Sequence, residues 1–512
     1  MKEALLIILF LSATYVHGQS VLINEFMAKN NSTIQDEDGD FSDWIELYNT
    51  TDSTISLHHY RLSDDRKNLN KWIFPEISIP PNGYLLVFAS DKNRLDTTAL
   101  HTNFKISSSG EQLYLSDNFG TIIDQTDAVH LTNDASYARI PDGSDNWHVV
   151  YQPTPNSTNN NSNVLFFSHQ GGFYTSPFYL KINSLSTDTI YYTLNGDIPT
   201  EQSNVLTDAL LIEDRSSTPN IFSEIPTTPE QQLIDYKAWE PPSGLIDKAT
   251  VLRCASYNNG VKTSKVYTKT FFVGEDILDR YTMPIISLTT EGNNLFSADS
   301  GIYVPGVNYK SNDPQWSGNY TKRGKDWERD IHIEYFENDG NLGFSQDAGI
   351  RIHGGKTRQA AQKSLRLYAR KKYGKQYFNY QLLPKRKVNQ YKRFMLRTTM
   401  GSWYERTIIK DVVSHQIASD LNIDYQEFQP VIVYINGEYW GIHTIRDRID
   451  ERYLGYTHNI DHDSVELKQW NNADYNQLMK FIENNDISLN NNYEYVKTKI
   501  DIDNYIDYTI AE

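Results

Sequence analysis

Residues 351–375 read RIHGGKTRQAAQKSLRLYARKKYGK, and this stretch decides how the C-terminal part of the chain folds. Leu365 and Leu367 alternate with charged and polar residues, and a period of two is typical of a half-buried β-strand. One set of side chains is therefore predicted to enter a core, while the other set stands on a sheet face. Gly354 and Gly355 precede the strand, and glycine lets backbone N–H groups approach an anion closely.

The charge of the same region indicates the kind of partner. Residues 351–410 contain seventeen Lys or Arg and one acid, Glu405, although the 512-residue chain has a net charge of −17. A concentrated positive field in an acidic protein points to an anionic partner. A solvated basic face without a partner remains the alternative, because runs of like charge often only face water.

The N-terminal residues predict export. Residues 1–18 combine Lys2 with an apolar run, and Val16 and Gly18 stand third and first before the predicted cleavage at Gln19. We therefore expect a secreted or cell-surface protein. No later run reaches the roughly 18 apolar residues that a transmembrane helix needs. A single cysteine excludes an intrachain disulfide framework and cysteine-based zinc sites.

Short alternating runs separated by turns occupy residues 19–152 and predict an antiparallel β-sandwich. The runs INEFMAKN (23–30) and DWIELYN (43–49) resemble the lamin tail domain, an immunoglobulin-like sandwich. The residues that carry the resemblance are Asn24, Glu25, Asp43, Trp44, Ile45, Glu46 and Asn49.

Acidic residues are concentrated in one loop of this module, at Asp36, Glu37, Asp38, Asp40 and Asp43. Closely spaced carboxylates are typical of calcium loops, but the bidentate Glu that closes an EF-hand is missing at the required spacing. A calcium site and a solvated loop both remain open.

A polar linker and a second β module follow. Residues 153–164 are rich in Asn, Ser and Thr, and residues 165–276 again show strand patterns, with an inserted loop predicted at about 206–245. The runs GFYTSP (172–177) and YTLNGD (192–197) resemble the small sandwich that trails chitobiase and hexosaminidase enzymes. Aromatic residues of the β modules leave a glycan or the cell surface open as a partner.

From residue 280 onward the pattern changes to a mixture of strands and helices. The runs KSLRLYAR (363–370), NGEYWG (436–441) and RDRID (446–450) resemble the CotH kinase family of secreted or spore-coat proteins. The resemblance covers residues 280–512. It implies a multidomain protein with two immunoglobulin-like all-β sandwiches, followed by an α+β domain with an atypical protein-kinase-like fold.

The resemblance also implies a reaction, in which the γ-phosphate of ATP passes to Ser or Thr hydroxyls of surface or secreted proteins, with Mg²⁺ or Mn²⁺. Such a reaction needs a cation on the phosphates, an acid that orients the cation, and carboxylates that hold the metal. Lys363 is the expected cation, and Asp447 is its expected orienting acid. Glu438 is the second choice, and Asp411 is expected to support the site. Asp447 departs from the family, which has Glu at this position, so a shorter side chain must reach Lys363.

The candidate phosphate-binding residues offer guanidinium groups, an ammonium group or glycine backbone N–H groups. They are Arg351, Gly354, Gly355, Lys363, Arg366 and Arg397. The metal-binding carboxylates of the family are expected beyond Glu512, because the run IDIDNYIDYTIAE (500–512) stops within a predicted helix. The expectation is thus an incomplete kinase domain whose activity belongs to a longer product.

Two other classes of function remain open. One is a non-catalytic surface adhesin or glycan-associated scaffold with a degenerate kinase-like domain. The other is a nucleic-acid-binding protein, which is disfavoured because the basic stretch lacks the aromatic ladder of a single-strand groove. Motifs of serine hydrolases, zinc proteases and P-loop enzymes are missing from the sequence. His353 and His443 are not at metal-ligand spacing and are predicted to be structural.

Overall fold

The structure is a computed structural model, and it forms two compact units that divide between Phe166 and Phe167. It describes residues 20–150, 153–159, 164–230, 238–314, 316–398, 410–467 and 472–511. The predicted signal peptide, residues 1–18, lies outside the described residues.

Unit 1 is a β-sandwich of two main sheets, with a third sheet of only two strands. Its strands are β1 (Val21–Met27), β2 (Asp43–Asn49), β3 (Ile55–Ser56), β4 (Arg61–Ser63), β5 (Trp72–Ile73), β6 (Ser78–Ile79), β7 (Tyr84–Ala89), β8 (Leu100–His101), β9 (Tyr114–Ser116), β10 (Ile122–Gln125), β11 (Ser136–Arg139) and β12 (Trp147–Val150). One main sheet has the order β12-β11-β1-β2-β7-β8, and the other has the order β10-β9-β4-β5. β3 and β6 form the third sheet. The alternating apolar residues, such as Ile23, Ile45 and Leu115, are fully buried in the core.

Part of the predicted linker is bound to unit 1. The backbone N–H of Thr154 donates to the Glu25 carboxylate at 3.2 Å, and that of Asn156 donates to Glu46 Oε2 at 2.6 Å. Both carboxylates are fully buried, on β1 and β2. Residues 153–159 therefore do not act as a free spacer, because buried carboxylates accept their N–H groups.

Unit 2 begins with the second β module. Its strands are β13 (Leu165–Phe167), β14 (Gly172–Tyr174), β15 (Phe178–Ser184), β16 (Thr189–Thr193), β17 (Asn204–Val205), β18 (Ala209–Ile212), β19 (Thr250–Asn258), β20 (Val261–Lys262) and β21 (Tyr267–Val273). Five strands form a sheet in the order β14-β21-β19-β16-β17, and β20 pairs with β19. β18 lies inside the predicted insertion 206–245, but it pairs antiparallel with β15 and so belongs to the sandwich. We use the term insertion below for residues 213–249, of which 231–237 lie outside the described residues.

The rest of unit 2 is built on a closed barrel. Its elements are α1 (Ile277–Arg280), β22 (Ile285–Thr289), α2 (Gly292–Phe296), β23 (Arg329–Phe336), β24 (Leu342–Ile352), β25 (Leu365–Tyr368), β26 (Phe378–Asn379), β27 (Gln390–Tyr391), β28 (Arg393–Arg397), α3 (Lys410–Ala418), β29 (Phe428–Ile435), β30 (Glu438–Arg446), α4 (Glu451–His458), α5 (Ala473–Asn484), α6 (Asn490–Lys497) and α7 (Ile502–Ala511). The barrel order is β22-β23-β24-β25-β28-β30-β29, closed by parallel pairing of β29 with β22. Ile350, Leu367 and Phe394 fill its interior.

The described part of the chain is mostly β-sheet with few helices, as two sandwich modules before a C-terminal domain require. This confirms the β-rich, multidomain part of the predicted fold. Among the described residues, no helix combines the length and apolar character needed to cross a membrane.

Candidate functional site

A row of side chains crosses the outer face of the barrel at one level. Arg351 on β24 lies opposite Arg366 on β25. Arg366 in turn lies opposite Met395 on β28, and Met395 lies opposite Arg446 on β30. Directly opposed residues share a sheet face, and neighbouring strands lie about 4.8 Å apart. The strand alternation that buries Leu367 and Phe394 therefore places these arginines together on the outside of the barrel.

One carboxylate on a helix pairs with two of the neighbouring guanidinium groups. Arg446 is only 1% exposed, and its Nη2 donates to Asp411 Oδ2 at 2.6 Å. Arg397 Nη1 lies 3.5 Å from the same oxygen. Burial lowers the pKa of Arg446, although Asp411 opposes this. Arg446 Nη1 has no hydrogen-bond partner among the described residues.

His353 follows β24 and lies among further guanidinium groups. Arg366 Nη2 donates to His353 Nδ1 at 2.5 Å. Burial, and then the charges of Arg366, Arg358, Arg397 and Arg448, lower the pKa of His353 to about 3. The imidazole is therefore neutral at physiological pH and acts as an acceptor. Arg366 Nε is buried without a partner in the described part of the chain.

We call Arg366, Arg397, Arg446, Arg448 and His353 the basic face. Asp411 pairs with Arg446 and Arg397, and Asp450 Oδ2 lies 3.8 Å from Arg448 Nε, so two carboxylates offset only part of the positive charge. Among the described residues, Arg446 Nη1 and Arg366 Nε have no acceptor. Guanidinium groups bind phosphate oxygens in a forked geometry and remain charged even when partly buried. The basic face is therefore suited to a polyanion such as a chain of phosphates.

Lys363 lies elsewhere and does not meet its predicted partners. It is fully buried, and its Nζ donates to the backbone oxygens of Thr227, at 2.9 Å, and Ala360, at 2.7 Å. Its ammonium also lies 4.3 Å from the centre of the Tyr320 ring. Burial moves the pKa of Lys363 well below its ordinary value. The insertion therefore covers the group that was predicted to bind phosphate.

Asp447 does not pair with Lys363. Its Oδ2 accepts from Arg386 Nε at 3.1 Å, and its Oδ1 accepts from the Tyr456 hydroxyl at 2.8 Å. Burial raises the pKa of Asp447. The Asp447 side chain thus joins α4 to the segment between β26 and β27. Its predicted role of orienting Lys363 is therefore not seen, because its cationic partner is Arg386.

Glu438, the second predicted acid, also has other partners. Its two oxygens accept the backbone N–H groups of Ile221, at 2.6 Å, and Ser223, at 2.8 Å. Both donors belong to the insertion. Glu438 is 4% exposed, so this contact is internal to unit 2.

The remaining predicted phosphate-binding residues have mixed surroundings. Arg351 donates through Nε and Nη2 to Glu328 Oε2, at 2.9 and 2.6 Å, which neutralises it. Gly354 has a φ of +115°, where a side chain would be strained, and its carbonyl accepts from Arg358 Nε at 2.7 Å. Gly355 has open space at the Cβ position. Of the predicted residues, Arg366, Arg397 and Asp411 are the ones that the structure brings together.

Three residues of the basic face were not predicted to bind phosphate. Arg446 and Arg448 have no predicted role, and His353 was predicted to be structural. The side of β30 on which Arg446 lies could have been predicted, because residues two apart in a strand, such as Thr444 and Arg446, share a face. Its pairing with Asp411, 35 residues earlier, leaves no local pattern.

The acidic loop of unit 1 already contains a cation from the chain. Lys92 Nζ lies 2.7 Å from Asp36 and from Asp38, and 2.9 Å from Asp40. The ammonium therefore occupies the position between the carboxylates that a calcium ion would take. This arrangement favours the non-calcium alternative for the loop.

The fold and the site define a β-rich, multidomain protein with a phosphate-compatible face on its C-terminal barrel. The family model described as CotH kinase protein matches residues 350–476, which contain the whole basic face. The Lamin Tail Domain model matches residues 17–130, and the model described as Fn3 associated matches residues 169–271. The second β module, for which a chitobiase-type sandwich was predicted, thus matches the Fn3-associated model. A search of curated proteins found no match. The chain therefore carries a CotH kinase domain with an N-terminal lamin tail domain, as the resemblance predicts.

Proposed function

We propose that this chain is an exported atypical protein kinase that transfers the γ-phosphate of ATP to Ser or Thr hydroxyls of surface or secreted proteins. The observation that carries the proposal is the basic face. It lies within residues 350–476, and it combines four guanidinium groups, two neighbouring carboxylates and N–H donors that have no acceptor among the described residues.

The ion pair between Arg446 and Asp411 supports a kinase-like arrangement. In protein kinases, a lysine on a strand pairs with a glutamate on a helix, and the pair fixes the cation over the nucleotide phosphates. Here a guanidinium on β30 pairs with a carboxylate on α3. Under the proposal, Arg446 takes the part of the lysine and Asp411 that of the glutamate. The protein-kinase-like fold of the domain is part of the same proposal.

The phosphates of ATP fit the basic face, because Arg446 Nη1 and Arg366 Nε are buried donors that lack partners among the described residues. Bound Mg²⁺ or Mn²⁺ would bridge phosphate oxygens and offset their charge. Within the described residues, the groups whose ligand atoms lie close enough together to hold a metal ion are Asp36, Asp38 and Asp40, and Asp461, His462 and Asp463. Neither includes a residue of the basic face, so we assign no metal ligand there.

Export and the role of the β modules are further parts of the proposal. The signal-peptide pattern of residues 1–18 supports a secreted or cell-surface location. The lamin tail and Fn3-associated modules would act as spacers or as docking modules for a protein substrate, a glycan or the cell surface.

A second candidate is a non-catalytic scaffold. It is favoured by one observation: Lys363, Asp447 and Glu438 each have structural partners and do not form the expected cation–acid pair.

Transfer of labelled phosphate from ATP tests the proposal. The full-length protein would be incubated with γ-labelled ATP, Mn²⁺ and a library of Ser- and Thr-containing peptides. We expect incorporation of label, at least a tenfold loss in Asp411→Asn and Arg446→Gln, and no loss in Lys262→Gln, because a charge-assisted hydrogen bond contributes about 1.5–3 kcal/mol. Lys262 is an exposed residue of β20 in the Fn3-associated module. Tight ATP binding without any transfer would favour the scaffold.

A further inference from the structure

A cavity of about 480 Å³ lies within unit 2, between the second β module and the barrel. Its lining includes Arg215, Phe222, Lys248, Phe296, Asn436 and Glu438. This volume is in the range of small-molecule sites. The cavity shares no lining residue with the basic face.

Two cations, Arg215 and Lys248, line the cavity without a direct ion pair among the described residues. Lys248 is 5% exposed, and its Nζ donates to the backbone oxygen of Ile246 at 3.0 Å. Arg215 Nη1 donates to the backbone oxygen of Ala249 at a long 3.5 Å. In the described part of the chain, neither cation has a carboxylate within ion-pair distance. Burial is the main cause that lowers the pKa of both groups, so an anion in the cavity would stabilise their charged forms.

The acid of the cavity wall is already hydrogen-bonded. Both oxygens of Glu438 accept backbone N–H groups, from Ile221 and Ser223. Its charge acts on Arg215 and Lys248 only through space. Most N–H donors of Arg215 and Lys248 therefore have no acceptor within the part of the chain that the structure describes.

A buried amide adds a third unused donor. Asn436 is 3% exposed, and its Oδ1 accepts the backbone N–H of Thr290 at 2.9 Å, which fixes the orientation of the amide. Its Nδ2 is buried without a partner among the described residues. A buried amide donor without a partner is costly, and a ligand acceptor would remove that cost.

The other feature of the wall is apolar. The rings of Phe222 and Phe296 stack with centroids 5.6 Å apart and an interplanar angle of 28°. A ligand that fits this wall needs an apolar or planar body in addition to its acceptor atoms. Glu438 and Asp197 also line the cavity, and their charges oppose a dianion such as phosphate.

We propose that this cavity binds a small organic carboxylate with a planar or apolar body. Its carboxylate accepts from Arg215, Lys248 and Asn436, and its body lies against Phe222. The insertion of the second β module and the β29–β30 turn of the barrel thus form one site together. The proposal does not depend on phosphate transfer by the basic face.

Benzoate is a suitable probe, with benzamide as its neutral analogue and inorganic phosphate as a second anion. Titration calorimetry on the full chain should give saturable benzoate binding, and weaker or undetectable binding of the other two. Arg215→Gln and Lys248→Met should each weaken benzoate binding about tenfold. Lys262→Gln, which changes an exposed cation of the same module, should leave it unchanged.

Arg215 is only partly buried, so Arg215→Gln decides the outcome if the Lys248→Met chain does not fold. The proposal is overturned if benzoate does not bind saturably, if phosphate or benzamide binds as tightly, or if Arg215→Gln leaves the affinity unchanged.

Discussion

Lys363 Nζ is buried, and its partners among the described residues are neutral. It donates to the backbone oxygens of Thr227 and Ala360 and lies near the ring of Tyr320. Thr227 in turn donates through its hydroxyl to the backbone oxygen of Ala361 at 2.8 Å. A buried charge is costly unless its donors are satisfied. We therefore infer that Lys363 serves to attach the insertion to the barrel.

Replacing Lys363 with Met tests this role at the residue scale. We expect ATP affinity within about twofold of the wild type, because the basic face is unchanged. We also expect faster cleavage of the insertion in limited proteolysis, since two carbonyls lose their donors and each lost hydrogen bond costs about 0.5–1.5 kcal/mol. Lys356→Met, at an exposed lysine after the same glycine turn, is the matched control. A tenfold loss of ATP affinity in Lys363→Met alone would restore the predicted phosphate-binding role.

The position of some side chains of the site could be predicted from the sequence. The alternation around Leu365 and Leu367 placed Arg366 on a sheet face, and the structure shows it there. Lys363 stands two residues before Leu365, so the same alternation places it on the core side, where it is fully buried. Its predicted phosphate-binding role rested on the resemblance and not on this pattern. The cover over Lys363 comes from Thr227, which is 136 residues away, and no local pattern reports such a contact.

At the scale of elements, two buried carboxylates, Glu25 on β1 and Glu46 on β2, hold the segment 153–159 of unit 1. Burial is the main cause that raises the pKa of Glu25 to about 7 and that of Glu46 to about 8, with the charge of Glu25 second for Glu46. The ordinary value for both is 4.5. Between pH 4.5 and about 8 the folded chain therefore binds more protons than the unfolded chain. Their contribution to the free energy of unfolding is full below pH 4.5 and is lost as the pH rises through this window.

The variant Glu46→Gln should flatten this pH dependence. Hydrogen exchange of β1 and β2 would be measured in the full chain and corrected for intrinsic rates. It should report a lower free energy of unfolding at pH 8 than at pH 5. Each tenfold difference in proton affinity between the folded and unfolded chains corresponds to about 1.4 kcal/mol. Glu46→Gln keeps the shape of the side chain but removes its titration, so the difference should shrink. The exposed residue Glu76 provides the control, Glu76→Gln. Equal pH dependence in Glu46→Gln and the wild type would contradict this role for Glu46.

Elements were easier to predict than the contacts between them. Alternation and turn residues indicated the strands of both β modules and the barrel strand β25. By contrast, the predicted linker proved to be bound over residues 153–159, because its N–H groups meet carboxylates more than 100 residues earlier. Polar composition predicts solvent exposure and cannot reveal such partners.

In unit 2 as a whole, the second β module and the barrel share a polar interior. Ile221 and Glu438 are 217 residues apart yet joined by a short hydrogen bond. Thr270 on β21 donates to Glu334 on β23 at 2.6 Å, and both are buried. The CotH domain is thus attached to the preceding module by satisfied buried polar groups, which fix a particular geometry. The resemblance predicted the order of the modules but gave no sign of this attachment.

The central claim is that the basic face of the barrel binds the phosphates of a nucleotide. Its most direct test is the affinity of the full chain for ATP and for adenosine, measured by titration calorimetry with the wild type, Arg366→Gln, Arg446→Gln and Lys262→Gln. We expect ATP to bind more tightly than adenosine. Arg366→Gln and Arg446→Gln should each weaken ATP binding at least tenfold without affecting adenosine, while Lys262→Gln should change neither affinity. ATP affinity that is equal in all four chains, or no better than that of adenosine, would contradict the central claim.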